Sequence, residues 1–279
     1  CFISADALQK QVELLNDIDG ETYQKQVITP AESSERYSVI KLINDITKRI
    51  INEEKDGPLY LAEVELESGS SVIRVGVVAQ NRQVNNGVWK PEHHQRAVKW
   101  LRELEAQQLP IVTFIDTPGA DAGADANLTN QAHSISELIA TMADLKVPTI
   151  GIVWGLGYSG GAIPLATTNL LLCVKDGIFS TIQPKGLASI ARKQKLDWQS
   201  CARLVGVSAC ELYQEGVIDG VINYSPLNNT QNNDYIKQSI IYSLEIIEQK
   251  SREIVHKVRP LSAHYSEDSL RFSSGPETH

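Results

Sequence analysis

The last four of the five glycines in the stretch from Pro148 to Ile163, P-T-I-G-I-V-W-G-L-G-Y-S-G-G-A-I, carry the spacing that bears most directly on chemistry. Gly155, Gly157, Gly160 and Gly161 follow an apolar, β-branched run (Thr149 to Trp154) of the length and composition of a buried strand. After them, Ala162 to Thr168 reads as the start of a helix. Strand, glycine turn and helix in that order point free backbone N–H groups at an anion, because the first amides of a helix have no partner inside it. Glycine serves where a ligand approaches the main chain closely or where φ must be positive. The chemistry on offer is an oxyanion hole, with an enolate or ureido oxygen as its ligand. A tight packing turn between strand and helix uses the same residues without any ligand, and that reading stands beside the first.

Gly157-Tyr158-Ser159-Gly160-Gly161 also matches the G-x-S-x-G nucleophile elbow. That reading needs a base, and the downstream histidines are His256, His264 and His279, in the last helix and tail. A second loop, Asp116-Thr117-Pro118-Gly119-Ala120-Asp121-Ala122-Gly123-Ala124-Asp125, is rich in small residues and acids. Asp116, Asp121 and Asp125 share one loop without further carboxylates or histidine, so turn-forming and capping roles are expected ahead of metal binding. His93 and His94 are adjacent on a helix and diverge, which predicts a solvated surface. His133 reads as an ordinary half-buried histidine, and Arg192, Lys193 and Lys195 as a solvated basic face. Cys1, Cys173, Cys201 and Cys210 show no metal spacing, and Cys173 reads as a core thiol.

The elements that must position these residues alternate. Segments 4–18 and 36–53 carry helical apolar spacing, the second with Val39, Leu42, Ile43, Ile46 and Ile50 on one face, and Thr29 to Ser34 reads as a linker turn. Leu59 to Leu66 reads as a half-exposed strand and Val72 to Ala79 as a buried one, joined as a hairpin across Glu67-Ser68-Gly69-Ser70. After the loop Asn81 to Lys90 comes a helix from Pro91 to Gln107, a buried strand from Pro110 to Ile115 and a helix from Leu128 to Leu145. Beyond the glycine stretch, Leu170 to Val174 and Ile178 to Ile182 read as strands and Gln183-Pro184-Lys185-Gly186 as a turn. Helices at Asp197 to Val205 and Ser208 to Glu215, a strand at Val217 to Asn223, a polar linker from Asn228 to Asn233 and a helix from Asp234 to Val258 complete the order. The tail from Arg259 to His279 reads as loosely held. Strand and helix alternating from Leu59 to Asn223 predict parallel βαβ units, an α/β layer fold, with no internal repeat.

A net charge of −8 argues against an electrostatic grip on nucleic acid or on an anionic membrane. No apolar run reaches the roughly 18 residues of a spanning helix, and the chain is read as cytoplasmic. Cys1 stands where an initiator Met is usual, which reads as the start of a processed or excised piece.

Four segments taken together carry a resemblance: L-P-I-V-T-F-I-D-T-P-G-A (109–120), V-P-T-I-G-I-V-W-G-L-G-Y-S-G-G-A (147–162), F-S-T-I-Q-P-K-G-L-A-S-I (179–190) and E-L-Y-Q-E-G-V-I-D-G-V-I (211–222). The series resembles the carboxyltransferase α subunit of bacterial acetyl-CoA carboxylase, within the crotonase-like (ClpP/crotonase) superfamily, over about residues 70–224. The resemblance implies a spiral of ββα units at residues 58–224, flanked by an N-terminal helical segment (1–57) and a C-terminal helix and tail (225–279). It implies transfer of CO2 from carboxybiotin, carried on a biotin carrier protein, to the α-carbon of an acyl-CoA. It also implies a hetero-oligomer with a β-type half that supplies the acyl-CoA oxyanion hole and a zinc ribbon, with no metal in this chain. Carried over residue by residue, Gly160 and Gly161 face the biotin ureido oxygen, with Gly119 and Ala120 on the facing loop. Pro118, Gly157, Ser159 and Lys185 surround them on the substrate and biotin side.

The departures from the pattern also inform. Hydratase-type relatives carry glutamates where this chain has Ile163 and Lys185, which argues against hydration or isomerisation. The carboxyltransferase α family normally shows P-E-G where this chain has Pro184-Lys185-Gly186. The basic cluster the family places after the Val72–Ala79 strand is reduced to Arg82 and Lys90. A biotin-independent subunit of malonate-decarboxylase type and a serine hydrolase on Ser159 are therefore the alternatives.

Overall fold

The computed structural model describes residues 1–272 except 122, 124, 125, 127, 192, 194 and 228–231, and over 254–272 it gives the course of the backbone alone. Helix α1 (Ala5–Asn16) starts on Ser4, whose hydroxyl accepts the Ala7 N–H at 3.3 Å. A second helical run follows as α2 (Gly20–Tyr23), a π-helical turn (Gln24–Ile28) and α3 (Thr29–Glu32). The linker turn expected over Thr29 to Ser34 is thus helical as far as Glu32. Tyr23, Val27, Ile28 and Ala31 form one buried face against Leu156, Tyr158 and Ile178, and that packing outweighs the local turn signal. Pro30 lies in α3 directly after the π-helical turn.

The single helix expected over 36–53 is two elements. Helix α4 (Val39–Ile46) buries Val39, Leu42, Ile43 and Ile46. Thr47 then turns extended and Arg49–Asp56 is strand β1, antiparallel to β2 (Leu59–Ser68), so Ile50 belongs to the sheet. The β-branched Thr47, Ile50 and Ile51 favour a strand, and Arg49 meets Glu65 across it at 2.9 Å. Strand β3 (Ser71–Gln80) closes the expected hairpin, with Ser68 opposite Ser71 and Gly69 at φ +60°. Strand β2 is buried on both faces where the alternation suggests one. Leu59 and Leu61 enter one core, and Tyr60, Ala62, Val64 and Leu66 the other.

From β3 the sheet continues in parallel through β4 (Ile111–Thr117), β5 (Thr149–Tyr158), β6 (Leu170–Val174) and, past a later crossover, β8 (Gly220–Ile222). Strand β7 (Ile178–Ser180) pairs with Leu156–Tyr158 of β5, whereas β6 pairs with Ile150–Val153. One strand therefore serves two successive neighbours, and the step between them is the offset of a spiral. Strand β5 runs on through Gly155 and Gly157, where a turn was expected, and the chain changes direction only at Ser159.

Helices α5 (Pro91–Ala106), α6 (Gln131–Asp144) and α7 (Ser159–Ala166) cover one face of the sheet together with α1. The residues Gln183-Pro184-Lys185-Gly186 lead into helix α8 (Pro184–Ile190) and not into a free turn, because Pro184 occupies a first-turn position. Helices α9 (Trp198–Val205) and α10 (Ala209–Gln214) open on Asp197 and Ser208 as the capping pattern predicts. Helix α11 (Asp234–Phe272) crosses the other face, where Ile236, Ile240 and Ile247 pack with α4, and it continues past Val258, so the tail expected to be loose is helical to Phe272. Cys173 is buried in β6 as expected, and burial pushes its thiol up. Among the described residues no helix is long and apolar enough to cross a membrane.

Candidate active site

The ends of β4 and β5 lie side by side, and the two glycine-bearing loops leave from them together. After β4, the Thr117 hydroxyl donates to the Gly119 carbonyl at 3.1 Å and lies 3.3 Å from the Gly119 N–H, which it accepts. Gly119 takes φ +135°, a conformation that favours glycine. After β5, Ser159 takes φ +56° and opens α7. By the i→i−4 pattern the N–H groups of Gly160 and Gly161 have no acceptor within that helix. Pro164 has no N–H with which to bond the Gly160 carbonyl, so that peptide stands outside the helical ladder.

The two loops touch through Gly161. An ideal Cβ on Gly161 would lie 2.6 Å from the Gly119 carbonyl oxygen and 2.8 Å from the Ala120 nitrogen, so only glycine lets the loops approach this closely. Gly160 is different. A Cβ there would meet Ile135 at 3.6 Å and the Ala120 methyl at 4.0 Å, both ordinary contacts. Gly155 and Gly157 serve packing within β5. A Cβ on Gly155 would lie 2.9 Å from the Asp116 carboxyl carbon, and one on Gly157 would lie 2.7 Å from the Phe179 ring.

Asp116 anchors the root of the first loop. Ile115 pairs with Val153, but Thr117 pairs with Gly157, so four steps along β5 face two along β4 in a bulge. The Leu156 N–H freed by that bulge donates to Asp116 Oδ1 at 3.0 Å, and Arg82 lies 3.4 Å from the same oxygen. Burial pushes the Asp116 carboxyl up, against the opposing pull of Arg82, the Leu156 N–H and Arg36. Gln80, at the end of β3, donates to the Gly161 carbonyl at 2.8 Å and accepts the Asp116 N–H at 3.0 Å. The Arg82 guanidinium also binds the Ala31 and Glu32 carbonyls, and Arg36 binds those of Pro30 and Trp154, so the two arginines join the α3 region to β4 and β5 in the middle of the sheet.

The other sequence-predicted residues divide. Gln183 donates its side-chain N–H to the Pro118 carbonyl, which brings the entrance of α8 onto the first loop. Lys185 is exposed in the first turn of α8, with its Nζ 5.0 Å from the Trp198 ring centroid. Among the described residues nothing hydrogen-bonds the Ser159 side chain, and His256, His264 and His279 lie where no side chain is described. Asp121 forms a turn, accepting the Gly123 N–H at 2.8 Å, while Asp125 and Arg192 lie outside the described residues. His133 is exposed.

His93 and His94 are both buried, against the solvated surface expected of them. His93 and His94 stand at the two margins of the one stripe that α5 buries, with Ala97, Leu101 and Leu104 between them, so both are covered. His93 Nδ1 accepts the Lys90 N–H at 2.9 Å, and His94 Nδ1 lies 2.9 Å from the Ser134 hydroxyl and its ring against Trp89. Ser134 donates to the Gln131 carbonyl, and Gln131 donates to the Asp121 carbonyl at 3.1 Å, so this polar chain backs the first loop. Burial brings the His94 imidazole down to about 4. Sequence reasoning passed over Gln80, Arg36 and this histidine chain. The signal for Gln80 was a lone polar residue closing the apolar run Val75 to Ala79.

A family described as acetyl co-enzyme A carboxylase carboxyltransferase-like matches residues 73–262. The acetyl-coenzyme A carboxylase carboxyl transferase subunit alpha of Carboxydothermus hydrogenoformans is 33% identical over 175 residues, covering 61% of this chain and 54% of that protein. The subunit of the same name from Campylobacter jejuni is 34% identical over 202 residues, covering 69% of this chain and 61% of that one. The chain thus spans little more than half the length of these relatives. Among solved structures, transcarboxylase 12S from a hexameric assembly with methylmalonyl-coenzyme A bound is similar at a TM-score of 0.61 and 16% identity, over 83% of this chain and 44% of that one. A chain of the Pseudomonas malonate decarboxylase MdcD–MdcE hetero-dimer is similar at a TM-score of 0.59 and 14% identity, over 81% of this chain and 94% of that one. These two likenesses are of fold.

Proposed function

The chain belongs to the acetyl-CoA carboxylase carboxyltransferase-like family and has a crotonase-like fold, and from that membership we propose that it is the α-type half of a biotin-dependent acyl-CoA carboxyltransferase. The observation that carries the reading is the Gly161 contact. It sets the first turn of α7 against the Gly119–Ala120 loop and leaves the Gly160 peptide open beside them.

The residues present fit a biotin ureido group. Gly160 has only ordinary contacts around it, with room that a side chain would take, and the N–H groups of Gly160 and Gly161 are uncommitted within their helix. The Gly119 N–H faces its own Thr117 hydroxyl, so Gly119 shapes the loop while the α7 turn donates. Ala120, Pro118 and Ser159 form the walls. Gly157 acts through the packing of β5 on β7, and Lys185 stands on the α8 side. Carboxybiotin bound there on its carrier protein would supply the CO2 and a ureido nitrogen basic enough for the substrate α-proton. Donors fixed in advance where negative charge gathers lower the barrier, and losing one typically costs on the order of 100- to 1000-fold in rate. The acyl-CoA oxyanion hole and the zinc ribbon belong to a β-type partner, and the pair forms a cytoplasmic hetero-oligomer with its biotin carrier.

The test is reconstitution. The chain with its β-type half is expected to move a carboxyl group between malonyl-CoA and biotin, and the chain alone to move none. A fully active lone chain overturns the reading. Lys185, where the family normally carries glutamate, favours one second reading, a biotin-independent subunit of malonate-decarboxylase type. Capture of the native complex followed by an avidin blot separates the two, since only the first recovers a biotinylated carrier.

A further inference from the structure

The two turns of the site come from different strands, and a single side chain ties both. Gln80 is 1% exposed at the end of β3. Its Nε2 donates to the carbonyl of Gly161 at 2.8 Å, and its Oε1 accepts the N–H of Asp116 at 3.0 Å. Asp116 immediately precedes Thr117-Pro118-Gly119-Ala120, and Gly161 lies in the donor turn itself. One amide thus spans the root of the first loop and the peptide of the second. It does so in a setting where a lost bond is not replaced by water, because a buried polar group that loses its partner keeps its desolvation cost.

We infer that Gln80 is a positioning residue that sets the separation of the two turns and, through it, the turnover of carboxyl transfer. The inference rests on the carboxyltransferase reading above. Gln80 reaches the site through Gly161 and Asp116 and touches no reacting atom. Its two bonds have opposite polarity, one donated and one accepted, and the primary amide supplies both at the right reach. Leucine supplies neither. A glutamate carboxylate keeps the acceptor for Asp116 but sets a second oxygen against the Gly161 carbonyl. A protonated glutamate again has one donor and one acceptor in the same shape.

The experiment compares Gln80→Leu and Gln80→Glu with wild type in the full chain assembled with its β-type half. Each variant is expected to lower kcat roughly 10- to 100-fold, the scale of a misplacement near 1 Å, with KM for the acyl-CoA within about twofold. The Gln80→Glu variant recovers turnover relative to wild type as pH falls and its carboxyl protonates, a rescue that a space-filling role does not produce. Amide hydrogen exchange is followed alongside. In Gln80→Leu the Asp116 N–H exchanges faster while the β1–β2 pairing does not change, and in Gln80→Glu the Asp116 N–H stays protected. Unaltered kcat in both variants of an active complex overturns the inference, as does a Gln80→Glu variant whose deficit is the same at every pH. Should wild type transfer no carboxyl group, the function reading fails and exchange decides the brace by itself. An Asp116 N–H as slow in Gln80→Leu as in wild type then overturns it, and a faster one supports it.

Discussion

Gly161 rests its α-carbon on the Gly119–Ala120 peptide, so closely that an ideal Cβ would stand 2.8 Å from the Ala120 nitrogen. One residue earlier, an ideal Cβ on Gly160 would come no closer than 3.6 Å, to Ile135. Alanine at the two positions is therefore expected to behave oppositely. Gly161→Ala must push the loops apart, an overpacking that costs about 1–3 kcal/mol, and under the proposed function carboxyl transfer falls with it. Gly160→Ala meets no clash and gains helix propensity, leaving stability within about 1 kcal/mol of wild type or slightly above it. Urea denaturation of both variants checks this, and equal losses would show that the loops are not in the contact described.

Asp116→Ala is expected to be costly for a different reason. It leaves the Leu156 N–H without its acceptor and Arg82 without its carboxylate, both at the buried root of the loop. The combined loss is about 2–4 kcal/mol. Asp116→Asn keeps an acceptor for Leu156 and loses only the charge, so it should cost less than half as much. A shift of the urea midpoint that is the same for both would mean that the Leu156 bond contributes nothing.

How much of this was legible in the sequence depends on whether a residue's reason is local. Gly119 and Gly161 could be read because close backbone approach leaves glycine as a visible trace. Gly155 and Gly157 leave the same trace, yet they answer to Asp116 and Phe179, so the motif holds glycines that pack within the sheet beside one that lets two loops meet. Strand β1 was missed although β2 follows it directly across Gly57 and Pro58, because the apolar spacing from Val39 to Ile50 is compatible with one continuous helix. Gln80 was missed because its value lies in bonding two strands' ends at once, which no window along the chain contains. His93 and His94 were misplaced by the same limit. Adjacency on a helix says that they diverge, not what covers them.

Lys185 offers a test of what holds α8. Its ammonium lies 5.0 Å over the Trp198 ring, an exposed cation–π contact worth about 0.5–1 kcal/mol. Lys185→Met removes that contact and should lower stability by about this amount. Lys185→Glu removes it too but sets a negative charge in the first turn of α8, where the helix dipole returns about 0.3–1 kcal/mol. The glutamate variant is thus expected to melt within about 2–4 °C of wild type and above the methionine variant. The reverse order would show that the Trp198 contact, and not the helix terminus, sets the local energetics.

His94 gives the chain a pH signature whose sign follows from its burial. In the unfolded chain the imidazole has its ordinary value near 6.5, while in the fold burial holds it down to about 4, beside His93, which burial also lowers. Between those values the unfolded state binds the extra proton, so stability rises with pH up to about 6.5 and is lost as pH falls toward 4. One such group contributes a slope approaching 1.4 kcal/mol per pH unit in the middle of that window. His94→Gln retains a polar partner for the Ser134 hydroxyl and removes the titration. Unfolding free energies measured between pH 4.5 and 6 should therefore depend on pH less steeply in the variant, by close to one proton. A slope as steep as wild type would mean that His94 takes up its proton in the folded chain, and that the polar chain through Ser134 and Gln131 does not hold it neutral behind the loop.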